Sequence, residues 1–144
     1  MKRFAATLAA LLLPLAAAAG EAAPNAARAR LHYVQHCIGC HHLDGAGAPD
    51  KGIPSMQGLL GRFAATTEGR DYIVQVPGVM NSPLNDADIA AMMNWLVPEM
   101  SPQRQAHFAP YTADEIARLR KTRPADVSAV RRRLIDTLPS GDSR

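Results

Sequence analysis

The sequence of 144 residues has only two cysteines, no internal repeat, no low-complexity tract and no run of β-branched residues of strand length. Without strand runs there is no alternation of strands and helices of the kind that surrounds a thioredoxin-like redox motif. The formal net charge is only +3, and Lys2 and Arg3 at the N-terminus contribute two of the cations. Charge therefore gives no indication of nucleic-acid binding, and the remaining patterns predict an all-α fold.

The longest apolar run extends from Phe4 to Ala19, directly after Lys2 and Arg3. A positive start, an apolar stretch and small residues before a polar turn are typical of a secretory signal peptide. An uncleaved membrane anchor is the alternative, but a span needs about 20 apolar residues. We predict a signal peptide over residues 1–20 that is cleaved near Ala19, a single periplasmic domain, and no stable membrane span after cleavage.

Charge is unevenly spread over the rest of the chain. The stretch from Glu21 to Met100 has five Lys and Arg against eight Asp and Glu, whereas Ser101 to Arg144 has nine against five. A mildly acidic body is thus followed by a basic tail. This asymmetry would steer a charged partner over about one Debye length, although solvated helix faces explain it equally well.

Both cysteines belong to the motif Cys37-Ile38-Gly39-Cys40-His41. C-x-x-C-H is the attachment motif of a c-type haem, in which each thiol joins one vinyl group and the histidine binds the iron. Three alternatives are a dithiol redox pair, half of a zinc site and a structural disulfide. The other four histidines, however, lack zinc-finger spacing, and so short a disulfide loop would stabilise little. Those histidines are His32, His36, His42 and His107.

An amphipathic helix is expected to lead into the motif. Asn25 is a suitable N-cap, and Ala29, Tyr33 and Cys37 recur at i, i+4 and i+8 on one face. Arg28 falls largely elsewhere, toward water. The cysteines should therefore lie at the end of a packed helix.

These residues resemble class I cytochrome c over about residues 29–97. That family has an aromatic residue four positions before the first cysteine and a small residue eight before it, where Tyr33 and Ala29 stand here. The segment from Pro54 to Arg62 is similar to the family loop on the histidine side of the haem. The resemblance implies a class I cytochrome c fold around one covalent haem c.

The same resemblance implies roles for three residues of this loop. The Pro54 carbonyl would accept the imidazole N–H of His41, which fixes the ring, and Arg62 would pair with a haem propionate. Met56 would pack against the porphyrin as a core residue. Considered without the resemblance, Met56 is itself a candidate iron ligand.

The second iron ligand is expected before the family's last helix. Asn85 is a good N-cap for that helix, Trp95 lies near its end, and Pro98 is predicted to stop it. By resemblance, the distal methionine comes from an irregular loop over residues 77–83, where Met80 fits. Four other residues are weaker candidates for this ligand: Met92, Met93, Met100 and His107. Met92 and Met93 are adjacent on the predicted helix, so at most one of them should face inward, and Met100 should be exposed.

Beyond Val97 the resemblance ends, but helical patterns continue to Leu138. Thr112 to Glu115 has capping-box spacing, and Pro124 is expected to open a further helix. Val127, Val130, Leu134 and Leu138 form one apolar stripe in that helix. The stripe either packs on the haem domain or serves, with the arginines at 131–133, as a docking arm for an acidic redox partner.

The sequence thus predicts a cytochrome c domain over residues 25–97 and a helical C-terminal extension over residues 101–138. The expected function is periplasmic single-electron transfer between redox proteins such as a dehydrogenase or an oxidase, with no catalytic residue. The haem would be held by Cys37 and Cys40, with His41 and Met80 on the iron. The alternatives are an enzyme or gas sensor with an open sixth position, and a dedicated subunit or acceptor of a periplasmic dehydrogenase.

Overall fold

The computed structural model describes residues 22–138, except for the side chains of residues 22–24 and of His107. The predicted signal peptide lies outside this range. Eight α-helices occur in the described range: α1 Ala22–His36, α2 Ile38–His41, α3 Leu59–Ala64, α4 Thr67–Gln75, α5 Pro77–Met80, α6 Asp86–Met100, α7 Ala113–Leu119 and α8 Val127–Thr137. Short 3-10 helices cover Pro49–Lys51 and Pro102–His107.

Residues 22–138 form no strand, and their only β-type pairing is an isolated antiparallel bridge between Ala48 and Ile53. The all-α prediction is confirmed at this level. None of the helices in the same range is both long enough and apolar enough to cross a membrane.

Helix α6 lies at the centre of the packing, with α1, α3 and α7 against it. Ala29 and Tyr33 of α1 are buried, and the Tyr33 and Trp95 ring centroids lie 5.7 Å apart. Arg28 is exposed, as predicted, and its guanidinium pairs with Asp88 of α6 at 2.9 Å. The face of α1 that precedes the cysteines is therefore packed against α6.

Two methionine predictions on α6 are wrong. Met92 and Met93 are both 1% exposed, although adjacent helix positions were expected to place at most one of them inward. Because α1 and α7 cover different sides of α6, neighbouring positions both become core. Met100 was expected to be exposed but is buried, and its carbonyl accepts a hydrogen bond of 2.8 Å from Gly58 N.

Capping residues locate some helix ends correctly. Asn85 accepts a hydrogen bond from Asp88 N at 2.8 Å, and Thr112 accepts one from Glu115 N at 3.2 Å, so both predicted N-caps are confirmed. Each cap is a local interaction, satisfied by residues three positions apart.

Three other predicted helix ends are wrong. Helix α1 begins at Ala22 instead of after Asn25, because a proline in the first turn costs no intrahelical hydrogen bond. Helix α6 continues through Pro98 to Met100, whose burial outweighs one lost bond. Helix α8 begins at Val127, beyond Pro124, because the Asp126 side chain caps it by accepting a 2.8 Å bond from Ala129 N.

The apolar stripe of the tail packs on the rest of the chain. Leu134 is 3% exposed, and Val127, Val130 and Leu138 pack against the same hydrophobic cluster that contains Tyr33. The packed interpretation of the stripe is thereby confirmed. Within residues 22–138, one hydrophobic cluster includes buried residues from α1 to α8.

Candidate haem site

The C-x-x-C-H motif forms one helical turn directly after α1. Cys37 N still donates to Tyr33 O at 2.9 Å, and His41 N donates to Cys37 O at 2.9 Å. Positions i, i+3 and i+4 share one face of a helix. The structure therefore brings Cys37, Cys40 and His41 together on one face.

Burial differs among these three side chains. Cys37 is half-buried against the core, and its pKa is raised by burial, with a further contribution from Cys40. Cys40 is exposed. Burial lowers the pKa of His41, which favours the neutral imidazole, the form that binds a metal.

The chain reverses immediately after the motif. His42 has φ +62°, a left-handed conformation that is uncommon for a residue with a side chain. The buried Tyr33 hydroxyl donates a 2.6 Å hydrogen bond to His42 O and so holds this turn. Burial is the main cause that raises the pKa of Tyr33 to about 12, so the hydroxyl remains a donor. The sequence indicated a packed aromatic ring at position 33 but gave no signal for this hydrogen bond.

The loop after the motif carries Pro54 back toward His41. Gly47 N donates to His41 O at 3.1 Å, and Ala48 and Ile53 exchange backbone hydrogen bonds of 2.9 and 3.0 Å. A Cβ atom on Gly47 would lie 2.7 Å from both Ile53 O and Pro54 O. The Pro54 carbonyl therefore lies against Gly47, whose N–H binds His41 O, and a side chain at position 47 would collide with that carbonyl.

The Nδ1 atom of His41 is buried and has no hydrogen-bond partner. The bond to the Pro54 carbonyl implied by the resemblance is not formed, so that role stays a prediction. A buried ring nitrogen without a hydrogen-bond partner costs free energy until that atom itself gains an acceptor. Two thiols and a neutral imidazole on one face, with this orphaned nitrogen, fit a haem attached through Cys37 and Cys40.

The other predicted site residues lie in separate elements. Arg62 is half-buried in the last turn of α3, and Met56 is partly buried against the core. Met80 is half-buried at the end of α5, a short helix where an irregular loop was expected. The roles assigned to Arg62 and Met80 remain predictions.

The rival methionines of α6 have packing roles. Met92 and Met93 are buried in the core, and the Met100 sulfur packs directly over Gly45. The side chain of His107 is outside the described part of the structure.

Two alternatives for the cysteines find no structural support within the described range. Over residues 22–138, no three His, Cys, Asp or Glu side chains form a group that would hold a metal ion, so Cys37, Cys40 and His41 share a face of the turn without converging on one point. Cys37 and Cys40 are free thiols, not joined in a disulfide.

Two arginines that connect the tail to the body carried no recognisable sequence signal. Arg70 of α4 binds Glu115 and the carbonyls of Ala109 and Pro110. Arg120, at the end of α7, donates to backbone carbonyls beside Met80. Their partners lie 34 to 45 residues away in sequence, beyond the reach of any local pattern.

No family model, no curated protein and no solved structure matches the chain.

Proposed function

We propose that this protein is a class I c-type cytochrome that carries single electrons between redox proteins of the periplasm. One haem c would be attached through Cys37 and Cys40, with His41 and Met80 as the axial iron ligands. The Pro54 carbonyl would orient His41, and Arg62 would pair with a propionate.

The observation that carries this proposal is the helical turn from Cys37 to His41. It presents two free thiols and an imidazole on one face, and the buried Nδ1 of His41 lacks a partner. The packing of α1 across α6, with the motif at the end of α1, supports the cytochrome c fold for the body of the chain.

The surrounding residues set the conditions for electron transfer. When bound, haem supplies an iron that alternates between the ferric and ferrous states. The half-buried Cys37 and His41 keep one side of the motif away from water, whereas Cys40 and the neighbouring Leu43 are exposed. A haem edge exposed near Cys40 would allow outer-sphere electron transfer to a partner. This transfer needs no side chain to donate or accept a proton.

Optical spectra of the matured protein, oxidised and reduced, test this proposal. We expect low-spin bands and a far-red sulfur-to-iron band in the ferric protein, because a thioether completes the coordination. Met80→Ala should lose the far-red band. Haem colour should stay with the polypeptide on a denaturing gel, since two thioethers hold it.

Met56→Ala is the matched control, because Met56 is partly buried but packs against the core. This variant should keep the far-red band. A high-spin ferric spectrum that Met80→Ala leaves unchanged would instead favour an open sixth position, and with it a gas sensor or an enzyme. Co-purification with a periplasmic dehydrogenase would distinguish a dedicated subunit from a diffusible carrier.

A further inference from the structure

The segment from Met80 to Leu84 connects α5 to α6 and contains the proposed distal ligand. Backbone hydrogen bonds between nearby residues fix part of its conformation: Asn81 N donates to Pro77 O at 3.0 Å, and Ser82 N donates to Val79 O at 3.2 Å. Leu84 also packs against the hydrophobic core, and Arg120 of the tail, which is distant in sequence, donates hydrogen bonds to the segment.

The Arg120 guanidinium binds three backbone carbonyls of this segment. Nε and Nη2 donate to Met80 O at 3.3 and 3.1 Å, and Nη2 donates to Ser82 O at 2.8 Å. Nη1 donates to Leu84 O at 3.2 Å and to Asp86 Oδ1 at 2.8 Å. Because Asp86 is the first residue of α6, one side chain ties the segment to the start of that helix.

Arg120 itself is held by a rigid support. It is the C-cap of α7, and its N–H donates to Ile116 O at 2.9 Å. Ile116 and Leu119 are fully buried, and the Arg120 side chain is only 22% exposed. Its planar guanidinium, with several N–H donors, therefore faces the carbonyls with little side-chain conformational freedom.

The other end of the same tail segment is fixed to α4. Arg70 Nε and Nη2 bind the two carboxylate oxygens of Glu115 at 2.6 and 2.8 Å. The Arg70 guanidinium also lies 3.7 Å from the centre of the Tyr111 ring. Helix α7 is therefore held by Arg70 near its start and by the buried side chains of Ile116 and Leu119, which makes it a fixed platform for Arg120.

From these contacts we propose that Arg120 is a positioning residue for Met80. By binding the carbonyls of Met80, Ser82 and Leu84, it holds the methionine segment in place and so protects the thioether–iron bond from competing ligands. This inference rests on the proposed function, and it gives the C-terminal tail a role in ligation of the haem.

Two measurements on the full-length matured protein test the role of Arg120. In the first, imidazole is titrated into the ferric protein, and loss of the far-red band reports displacement of Met80. Arg120→Ala should bind imidazole at least about tenfold more tightly, because several charge-assisted hydrogen bonds no longer restrain the segment. In the second, amide hydrogen exchange over residues 80–86 should be accelerated to a similar extent, by about tenfold or more.

Arg120→Lys and Arg123→Ala are the comparison variants. Lysine keeps the charge but has no planar fork, so Arg120→Lys should behave much more like Arg120→Ala than like the wild-type protein. Arg123 is an exposed arginine of the same tail, and Arg123→Ala should match the wild-type protein in both measurements. If Arg120→Ala does not fold, Arg120→Lys and Asp86→Asn supply the same comparison.

The two proposals fail in different ways. If the wild-type protein shows the far-red band and Arg120→Ala matches it in imidazole affinity and in hydrogen exchange, the role of Arg120 is overturned while His/Met ligation stands. If the wild-type protein has no far-red band, and Met80→Ala does not change its spectrum, both proposals are overturned.

Discussion

Besides Tyr33, Ser101 is the only fully buried residue of the described core whose side chain forms hydrogen bonds. It is 1% exposed, and its Oγ accepts a 2.9 Å hydrogen bond from Gly61 N. Gly61 lies in the first turn of α3, where backbone N–H groups have no intrahelical acceptor, and the N-cap of α3 is Gly58, which has no side chain. Ser101 therefore caps α3 from the end of α6.

Ser101→Ala should lower the free energy of unfolding by about 1–2 kcal/mol, because it leaves a buried N–H without an acceptor. The measurement is urea unfolding followed by circular dichroism. Ser128→Ala, at an exposed position of α8, is the control and should change stability by no more than about 0.5 kcal/mol. Equal effects of the two substitutions would contradict the capping role.

Some residues of the candidate site could be predicted from the sequence, and others could not. The Cys37–His41 turn could be predicted because its chemistry is contained in five consecutive positions. The hydroxyl of Tyr33, the oxygen of Ser101 and the guanidinium of Arg120 could not, because each binds a backbone group that no side-chain pattern marks. Backbone carbonyls become partners only when the fold brings them close.

At the scale of single elements, α8 shows how a tail helix becomes part of the core. Leu134 is 3% exposed, whereas the adjacent Ile135 is 37% exposed. Arg133 also binds Glu68 of α4, so a polar contact accompanies the apolar one. The arginine cluster predicted as a docking arm already has two acidic contacts within this chain, Arg133 with Glu68 and Arg132 with Asp126 at 3.9 Å.

Leu134→Ala should destabilise the protein by about 2–4 kcal/mol, because it leaves a cavity between α8 and the core. Ile135→Ala, one position away on the exposed side, should change stability by less than about 1 kcal/mol. Chemical unfolding curves of the two variants provide the comparison. If Leu134→Ala were as mild as Ile135→Ala, α8 would not be packed as described.

Helix boundaries could be predicted where a nearby side chain caps the helix, but not where tertiary packing determines the position of the helix end. Asn85 and Thr112 begin their helices as their side-chain chemistry predicts. Pro98 does not stop α6, because Met100 is buried and Met100 O binds Gly58 N, and neither fact is visible near Pro98 in the sequence.

Across the whole molecule, the acidic body and the basic tail are joined by ion pairs. Arg120 pairs with Asp86 at 2.8 Å, and Arg133 pairs with Glu68. In a third pair the signs are exchanged, since Arg70 of the body binds Glu115 of the tail at 2.6 Å. Some of the charges behind the asymmetry seen in the sequence therefore form ion pairs within the folded chain.

The Arg70–Glu115 pair makes part of the stability dependent on pH. The hydrogen bond from Arg70 is the largest cause that lowers the pKa of Glu115 below its ordinary value of 4.5. A carboxyl group whose pKa is lower in the folded state stabilises the protein above its unfolded pKa. That stabilisation is lost as the pH falls from about 4.5 through the lower folded value.

Glu115→Gln should therefore be less stable than the wild-type protein near neutral pH, and its stability should fall less steeply on acidification. Urea unfolding at pH values from about 7 down to about 3 would measure both effects, since stability follows the difference in bound protons. Asp114→Asn, at the exposed neighbouring carboxylate, is the control and should keep the wild-type slope. Parallel stability curves for Glu115→Gln and the wild-type protein would show that the pair contributes nothing to the acid response.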